Sequence, residues 1–201
     1  MLMPRREFIR KNIDVRRYEK LFILSVDGQK TEPEYFSIFD KLGPIIRVKC
    51  LKSKKSSSPL QVLKRMKKYI KDEGLLKTDE AWLIVDRDEW TDEQLVQLHQ
   101  WSDEKDNHGF AISNPKFEYW LLLHFEDGKG VKNSKDCTKK LKKYIPKYDK
   151  SIGLGEITDK MILDAIKRAK EKDKGSFEER LKNVGSTVYK VVENIMRRNF
   201  K

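Results

Sequence analysis

The chain is predicted to be an α/β protein, with a mainly parallel sheet flanked by helices and a helical C-terminal region. Three observations predict this. Continuous apolar runs at residues 21–26 (LFILSV) and 81–85 (AWLIV) are bounded by polar turn residues, as buried strands are. Such runs alternate with segments of helical periodicity over the first two thirds of the chain, which implies parallel strands joined by right-handed crossovers. From about Ser134 onward only helical spacing remains, among many lysines.

Taken in order, residues 1–20 form a basic arm of mixed polarity. The first apolar run ends at Asp27-Gly28, a tight-turn pair. Thr31 as cap, Pro33 in the first turn and Glu34 three residues after Thr31 then start a helix. It is expected to reach about Lys41 with Tyr35, Phe36 and Phe39 inward, and Gly43-Pro44 breaks it. Residues 45–51 alternate Ile46, Val48 and Cys50 with Arg47 and Lys49, which predicts a second strand with one basic face. Residues 52–58 are a polar loop. Ser58-Pro59 opens the next helix, through Leu60, Leu63, Met66 and Ile70. The third strand, 81–85, runs directly into Asp86-Arg87-Asp88-Glu89. Thr91 with Gln94 has the capping-box pattern for a helix through Leu95, Leu98 and Trp101. Residues 109–112 form a short fourth strand. Asn114 is expected to cap a helix holding Phe117, Trp120, Leu121 and His124, ended by Asp127-Gly128. The remainder reads as about three helices. The organisation expected is an arm (1–20), an α/β core (21–130) and a lysine-rich helical region (131–201) packed on the core.

The 201 residues suit one domain able to bury a core without staples. Two cysteines, Cys50 and Cys137, exclude a cysteine-rich zinc site and a disulfide scaffold. The first twenty residues lack the apolar centre of a signal peptide, and no run approaches membrane-spanning length. The expectation is a cytoplasmic protein without a membrane partner. The net charge is +12, but its distribution is uneven. Residues 47–71 carry ten Lys/Arg and no acid; 72–127 carry fifteen acids and four Lys/Arg; 128–150 carry nine lysines and two aspartates. Basic flanks attract a polyphosphate by releasing its counterions. The acidic centre repels it unless a divalent metal intervenes. The plain alternative is that the lysine faces are merely solvated.

In a parallel α/β sheet, functional residues gather beyond the carboxyl ends of the strands. Asp27 follows the first strand and Asp86 the third. If those strands are neighbours, their ends lie ~5 Å apart. Asp88, two residues beyond Asp86, falls on the same side of an extended chain. Three carboxylates sharing one crevice raise each other's pKa, and Mg2+ (or Mn2+) relieves the repulsion with oxygen ligands. Taken singly, Asp27-Gly28 reads as an ordinary turn and Asp86-Arg87-Asp88 as a surface loop with a salt bridge.

The segments LSVDGQKTEPEYF (24–36), AWLIVDRDE (81–89) and SNPKFEYWLLLHF (113–125) resemble successive motifs of the RloB-like family, and Pro59-Leu60 also fits. The resemblance implies a Toprim-like fold, a setting among restriction and phage-defence loci, and a neighbouring ATPase of the ABC or SMC-like type. Toprim sites place a glutamate after the first strand and an Asp-x-Asp pair after a later one. By resemblance these positions are Asp27 for acid–base work and Asp86 with Asp88 for the metal. Asp27 departs from the usual glutamate and is shorter by a methylene, a reach roughly 1 Å less, and such a misplacement costs ~100-fold. The expectation is that Asp27, together with Glu118, manages protons; the alternative is that Asp27 serves as a metal ligand and Glu32 or Glu118 contributes. For Glu118 the equal alternative is a first-turn acid favouring the helix dipole.

The expected function is Mg2+-dependent cleavage of RNA or DNA in anti-phage defence, with nucleic acid contacted by Lys30, Arg87, Arg47, Lys49, Lys52, Lys54 and Lys55. The competing expectations are a non-catalytic partner module of the ATPase that binds nucleic acid, and a nucleotide-responsive switch, for which no glycine-rich loop exists. His124 reads as a hydrogen-bonded core histidine. Trp90 reads as core more readily than as a base-stacking residue.

Overall fold

The computed structural model describes residues 19–41, 45–51, 58–87, 90–149 and 157–197. Five strands form one sheet: β1 (Lys20–Val26), β2 (Ile46–Leu51), β3 (Glu80–Asp86), β4 (His108–Asn114) and β5 (Gly185–Ser186). Their order is β2-β1-β3-β4-β5. The first four are parallel, and β5 lies antiparallel to the end of β4. The helices are α1 (Thr31–Phe36), α2 (Pro59–Glu73), α3 (Asp92–Asp103), α4 (Phe117–Leu122), α5 (Ser134–Tyr144), α6 (Asp159–Lys172), α7 (Phe177–Lys182) and α8 (Tyr189–Met196). None of the described helices is long and apolar enough to cross a membrane.

Strand alternation sorts the core into two layers. Phe22, Leu24, Val26, Trp82 and Ile84 join the side chains of α1, α4, α5, α6 and α8. Leu21, Ile23, Ala81, Leu83 and Val85 join those of α2 and α3. The C-terminal region therefore shares the core of the sheet and adds a strand to it. A buried ion pair, Lys20 with Glu80, sits at the opposite end of the sheet from the strands' carboxyl ends. Glu80 also accepts from the Trp82 indole (2.8 Å) and the Asn194 amide (3.0 Å).

Local signals explain most starts. Ser58 accepts from the Gln61 amide and Pro59 opens α2. Thr91 and Gln94 form the reciprocal capping box of α3. Two expected caps are not used. Lys30, not Thr31, holds the N-cap position of α1, and Thr31 instead lies 3.4 Å from the Tyr148 hydroxyl. Asn114 donates to the Leu181 carbonyl (3.0 Å), while α4 starts one residue after Lys116 without a cap from its own flank. Both elements are shorter than expected. α1 stops at Phe36 and continues as a 3-10 turn, Ser37–Lys41. α4 stops at Leu122, before His124. The C-terminal region has four helices among its described residues, plus β5. Two residues are too few for a periodic signal. β5 is secured by the Ser113–Ser186 hydroxyl pair (2.9 Å) and by Thr187, which bonds the Ile112 amide and carbonyl at 2.9 Å each.

α1 and α4 are joined by a knot of rings. Tyr35, fully buried, meets Phe36 (5.2 Å), Phe39 (5.8 Å), Phe117 (5.6 Å), Trp120 (6.1 Å) and His124 (5.4 Å) edge-on. His124 Nδ1 donates to the Trp120 carbonyl at 3.0 Å, so its Nε2 accepts from the Tyr35 hydroxyl at 3.2 Å. The ring is a satisfied core histidine, as expected. Burial is the main cause that pushes its pKa down to about 4.

That depression sets a pH dependence. An imidazole with an ordinary pKa near 6.5 when unfolded and about 4 when folded gives the unfolded chain the greater proton affinity. Stability is therefore intact above pH 6.5 and is lost as pH falls toward 4, by on the order of 3 kcal/mol. Denaturant unfolding at pH 7 and pH 4.5 should show a smaller loss for His124→Gln than for the wild type. An equal loss in both proteins removes His124 as the cause.

Candidate active site

The strand order reverses between β1 and β3: the chain moves outward from β1 to β2 on one side, and to β3 and β4 on the other. A crevice opens outside the carboxyl ends of the strands at such a switch point. Four acids come to it. Asp27 follows β1, and its amide donates to the Ile84 carbonyl (3.1 Å). Asp86 is the last residue of β3. Glu32 and Glu118 sit in the first turns of α1 and α4, both buried.

Each acid has its own surroundings. Asp27 Oδ2 accepts from the Trp90 indole (3.3 Å) and feels the charge of Arg65. Arg65 itself bonds Ser25 Oγ and the Val26 carbonyl, and burial lowers its pKa against the pull of Asp27. Asp86 Oδ1 accepts from the Phe117 amide (2.7 Å), so this strand residue caps α4 from outside. Trp90 and α2 belong to one face of the sheet, Phe117 and α5 to the other. Asp27 and Asp86 thus share one end of the sheet but turn toward opposite faces, as the alternation of their strands dictates.

Glu32 stands near Asp27 and Glu118. Its Oε1 accepts from the Gly28 amide (3.0 Å). Burial is the main cause that raises its pKa to about 7; the Asp27 and Glu118 charges push the same way, and two backbone hydrogen bonds oppose them. Gly28 lies close against the Glu32 carboxyl group. A Cβ on it would lie 1.9 Å from Glu32 Oε2. Glu118 Oε1 accepts from the Tyr148 hydroxyl (2.9 Å), and Lys116 Nζ stands 3.7 Å away. Burial, then the Glu118 and Asp86 charges, push the Cys137 thiol up to about 12, with Lys116 opposing.

Asp88 lies outside the described residues, as do Lys52, Lys54, Lys55 and the arm 1–18. Among the described residues no group of three His, Cys, Asp or Glu side chains is disposed to hold a metal ion. The acids nevertheless supply oxygen donors, the chemistry Mg2+ requires. Lys30, Arg47 and Lys49 are exposed, and Lys49 Nζ sits 4.8 Å over the Tyr69 ring. The Arg87 guanidinium is engaged by Asp92 (2.6 Å) and by the Trp90 and Leu181 carbonyls. Tyr148, Lys116, Cys137 and Arg65 escaped sequence reading. Each reaches the acids from a separate element, and none carries a local motif.

The packing of Gly28 on Glu32 is testable. Gly28→Ala should lower the unfolding free energy by about 1–3 kcal/mol, the usual range for overpacking. Glu32→Ala in the same chain should recover part of that loss, a coupling that a double-mutant cycle measures. Additive losses would show that the two side chains do not meet.

A profile of the RloB-like protein family matches residues 22–195, which take in all five strands except the first two residues of β1, and all four acids. No curated protein and no solved structure matches the chain. On this match, over far more than half its length, the chain belongs to the RloB-like protein family.

Proposed function

We propose that this chain is a Toprim-like nuclease dependent on Mg2+ or Mn2+, which cleaves phosphodiester bonds of RNA or DNA in anti-phage defence. The observation that carries this reading is the gathering of Asp27, Glu32, Asp86 and Glu118 at the switch point of the sheet. Asp86 and Asp88 would hold the ion; Asp27, which faces the Trp90 indole on the other side of the sheet end, would have to swing from that partner to join them. A divalent ion bound by these acids lowers the pKa of a water and stabilises the leaving oxygen. Glu32 is the residue suited to carry the proton, because its pKa of about 7 lets it both accept and donate at neutral pH. Glu118, bonded by Tyr148, is a second acid beside Glu32. Asp27 then acts as ligand, which accommodates its shorter reach. The basic segments 47–71 and 128–150 guide the strand. The defence setting and the ABC- or SMC-like ATPase partner rest on the family resemblance.

A second reading is a non-catalytic module that binds nucleic acid for that ATPase. It is favoured by the turning of Asp27 and Asp86 toward opposite faces, with no three-ligand group among the described residues.

Cleavage of labelled tRNA, mRNA and DNA with Mg2+ or Mn2+ decides between them. Asp86→Asn keeps an oxygen for the Phe117 amide and removes only the charge, so it should fold. Asp86→Asn and Glu32→Gln should each lower the cleavage rate by ~100-fold or more. Undiminished cleavage by Asp86→Asn removes the metal assignment. Failure of the wild type to cleave any substrate, with the ATPase present, leaves the binding module as the function.

A further inference from the structure

We infer that the lysine face of α5, with Tyr144 as a stacking platform, seats single-stranded nucleic acid and leads it to the Glu118 side of the crevice. This rests on the nucleic-acid reading above and specifies the strand and the surface. α5 is anchored by Cys137 and Leu141, both fully buried, and it packs on α4, the helix that carries Glu118. Its opposite side presents Lys135, Lys139, Lys142 and Lys143, all exposed. Their spacing of four, seven and eight residues puts them on one stripe. None of the four forms an ion pair with another described residue, whereas Lys140 on the flank is taken by Glu126 (2.7 Å). A stripe of uncompensated cations at this pitch meets a phosphate backbone.

Tyr144 adds what a merely solvated lysine face lacks. The residue is 41% exposed, yet one face of its ring is stacked on Phe125 (centroids 5.0 Å apart, planes 14° apart). Its hydroxyl donates to Glu126 Oε2 (2.9 Å), which fixes the ring's orientation. The outer face is thus a rigid aromatic surface beside Lys140 and Lys143. Bases of a duplex are stacked on each other and unavailable to such a ring; those of a single strand are free to stack on it. Four residues further on, Tyr148 touches Glu118, so the path from platform to acids is short. The lysines of α2 offer charge without this feature. Lys68 pairs with Asp72, and Lys49 covers the ring of Tyr69.

The test is fluorescence anisotropy with a short labelled oligonucleotide, single-stranded or in duplex form, in EDTA so that binding is read apart from cleavage. Tyr144→Ala should weaken single-strand binding about 10-fold, within the range for loss of one base stack, and leave duplex binding unchanged. Tyr144→Phe should bind like the wild type. Lys139→Gln/Lys142→Gln/Lys143→Gln should reduce the slope of log affinity against log salt by about 2, as expected for three lost phosphate contacts to a single strand. Lys160→Gln/Lys167→Gln/Lys174→Gln, at exposed lysines outside both basic segments, should not. Wild-type binding by the Tyr144→Ala and α5 variants, or loss confined to this control variant, overturns the inference while leaving the nuclease reading intact. Absence of single-strand binding by the wild type overturns the inference, and cleavage with Mg2+ then tests the nuclease reading by itself. Strand binding that depends on α5 without cleavage upholds this inference and removes only the nuclease.

Discussion

The contact of Tyr35 with the rings of Phe36, Phe39, Phe117, Trp120 and His124 joins α1 to α4, and the two buried glutamates ride on the first turns of those helices. Aromatic pairs of this kind contribute roughly 0.5–1.5 kcal/mol each beyond their burial. Such cohesion is needed because the arrangement above it is unfavourable: Glu32 and Glu118 are taken out of water and set near each other and near Asp27. The knot holds together the two helices that carry these carboxylates. The site and the core are therefore one mechanical unit, and His124 ties both to pH.

The topology then explains why acids from distant stretches of chain meet at all. β1 and β3 are adjacent although β2 and α2 intervene in sequence. The crossovers fill both faces of the sheet and leave the carboxyl ends as its unlayered edge. Alternation decides which way each strand-end acid turns, so Asp27 meets Trp90 and Arg65 while Asp86 meets α4. Glu32, in the first turn of α1, stands near Asp27 and Glu118.

Much of this was legible in the residues. Apolar runs marked β1 and β3, and the caps at Ser58 and Thr91 marked α2 and α3, because those signals are local. Asp27, Asp86, Glu32 and Glu118 were legible as strand-end or first-turn acids for the same reason. β5 was not, since its two residues are held by Ser113 and Thr187 rather than by any pattern of their own. Nor was Tyr148, whose meaning comes only from Glu118, thirty residues earlier. The caps expected at Thr31 and Asn114 failed because tertiary partners, Tyr148 and Leu181, claimed those side chains. Arg87 was drawn to Asp92 and two carbonyls by the same kind of competition.

The order of elements along the chain has a bearing on biosynthesis. All four parallel strands leave the ribosome before Tyr148 and before Gly185–Ser186. A nascent chain at that stage carries Glu118 without the hydroxyl that binds it and β4 with its outer edge uncovered. The acidic crevice and the free edge of β4 are completed only by residues that follow the four parallel strands, Tyr148 and Gly185–Ser186.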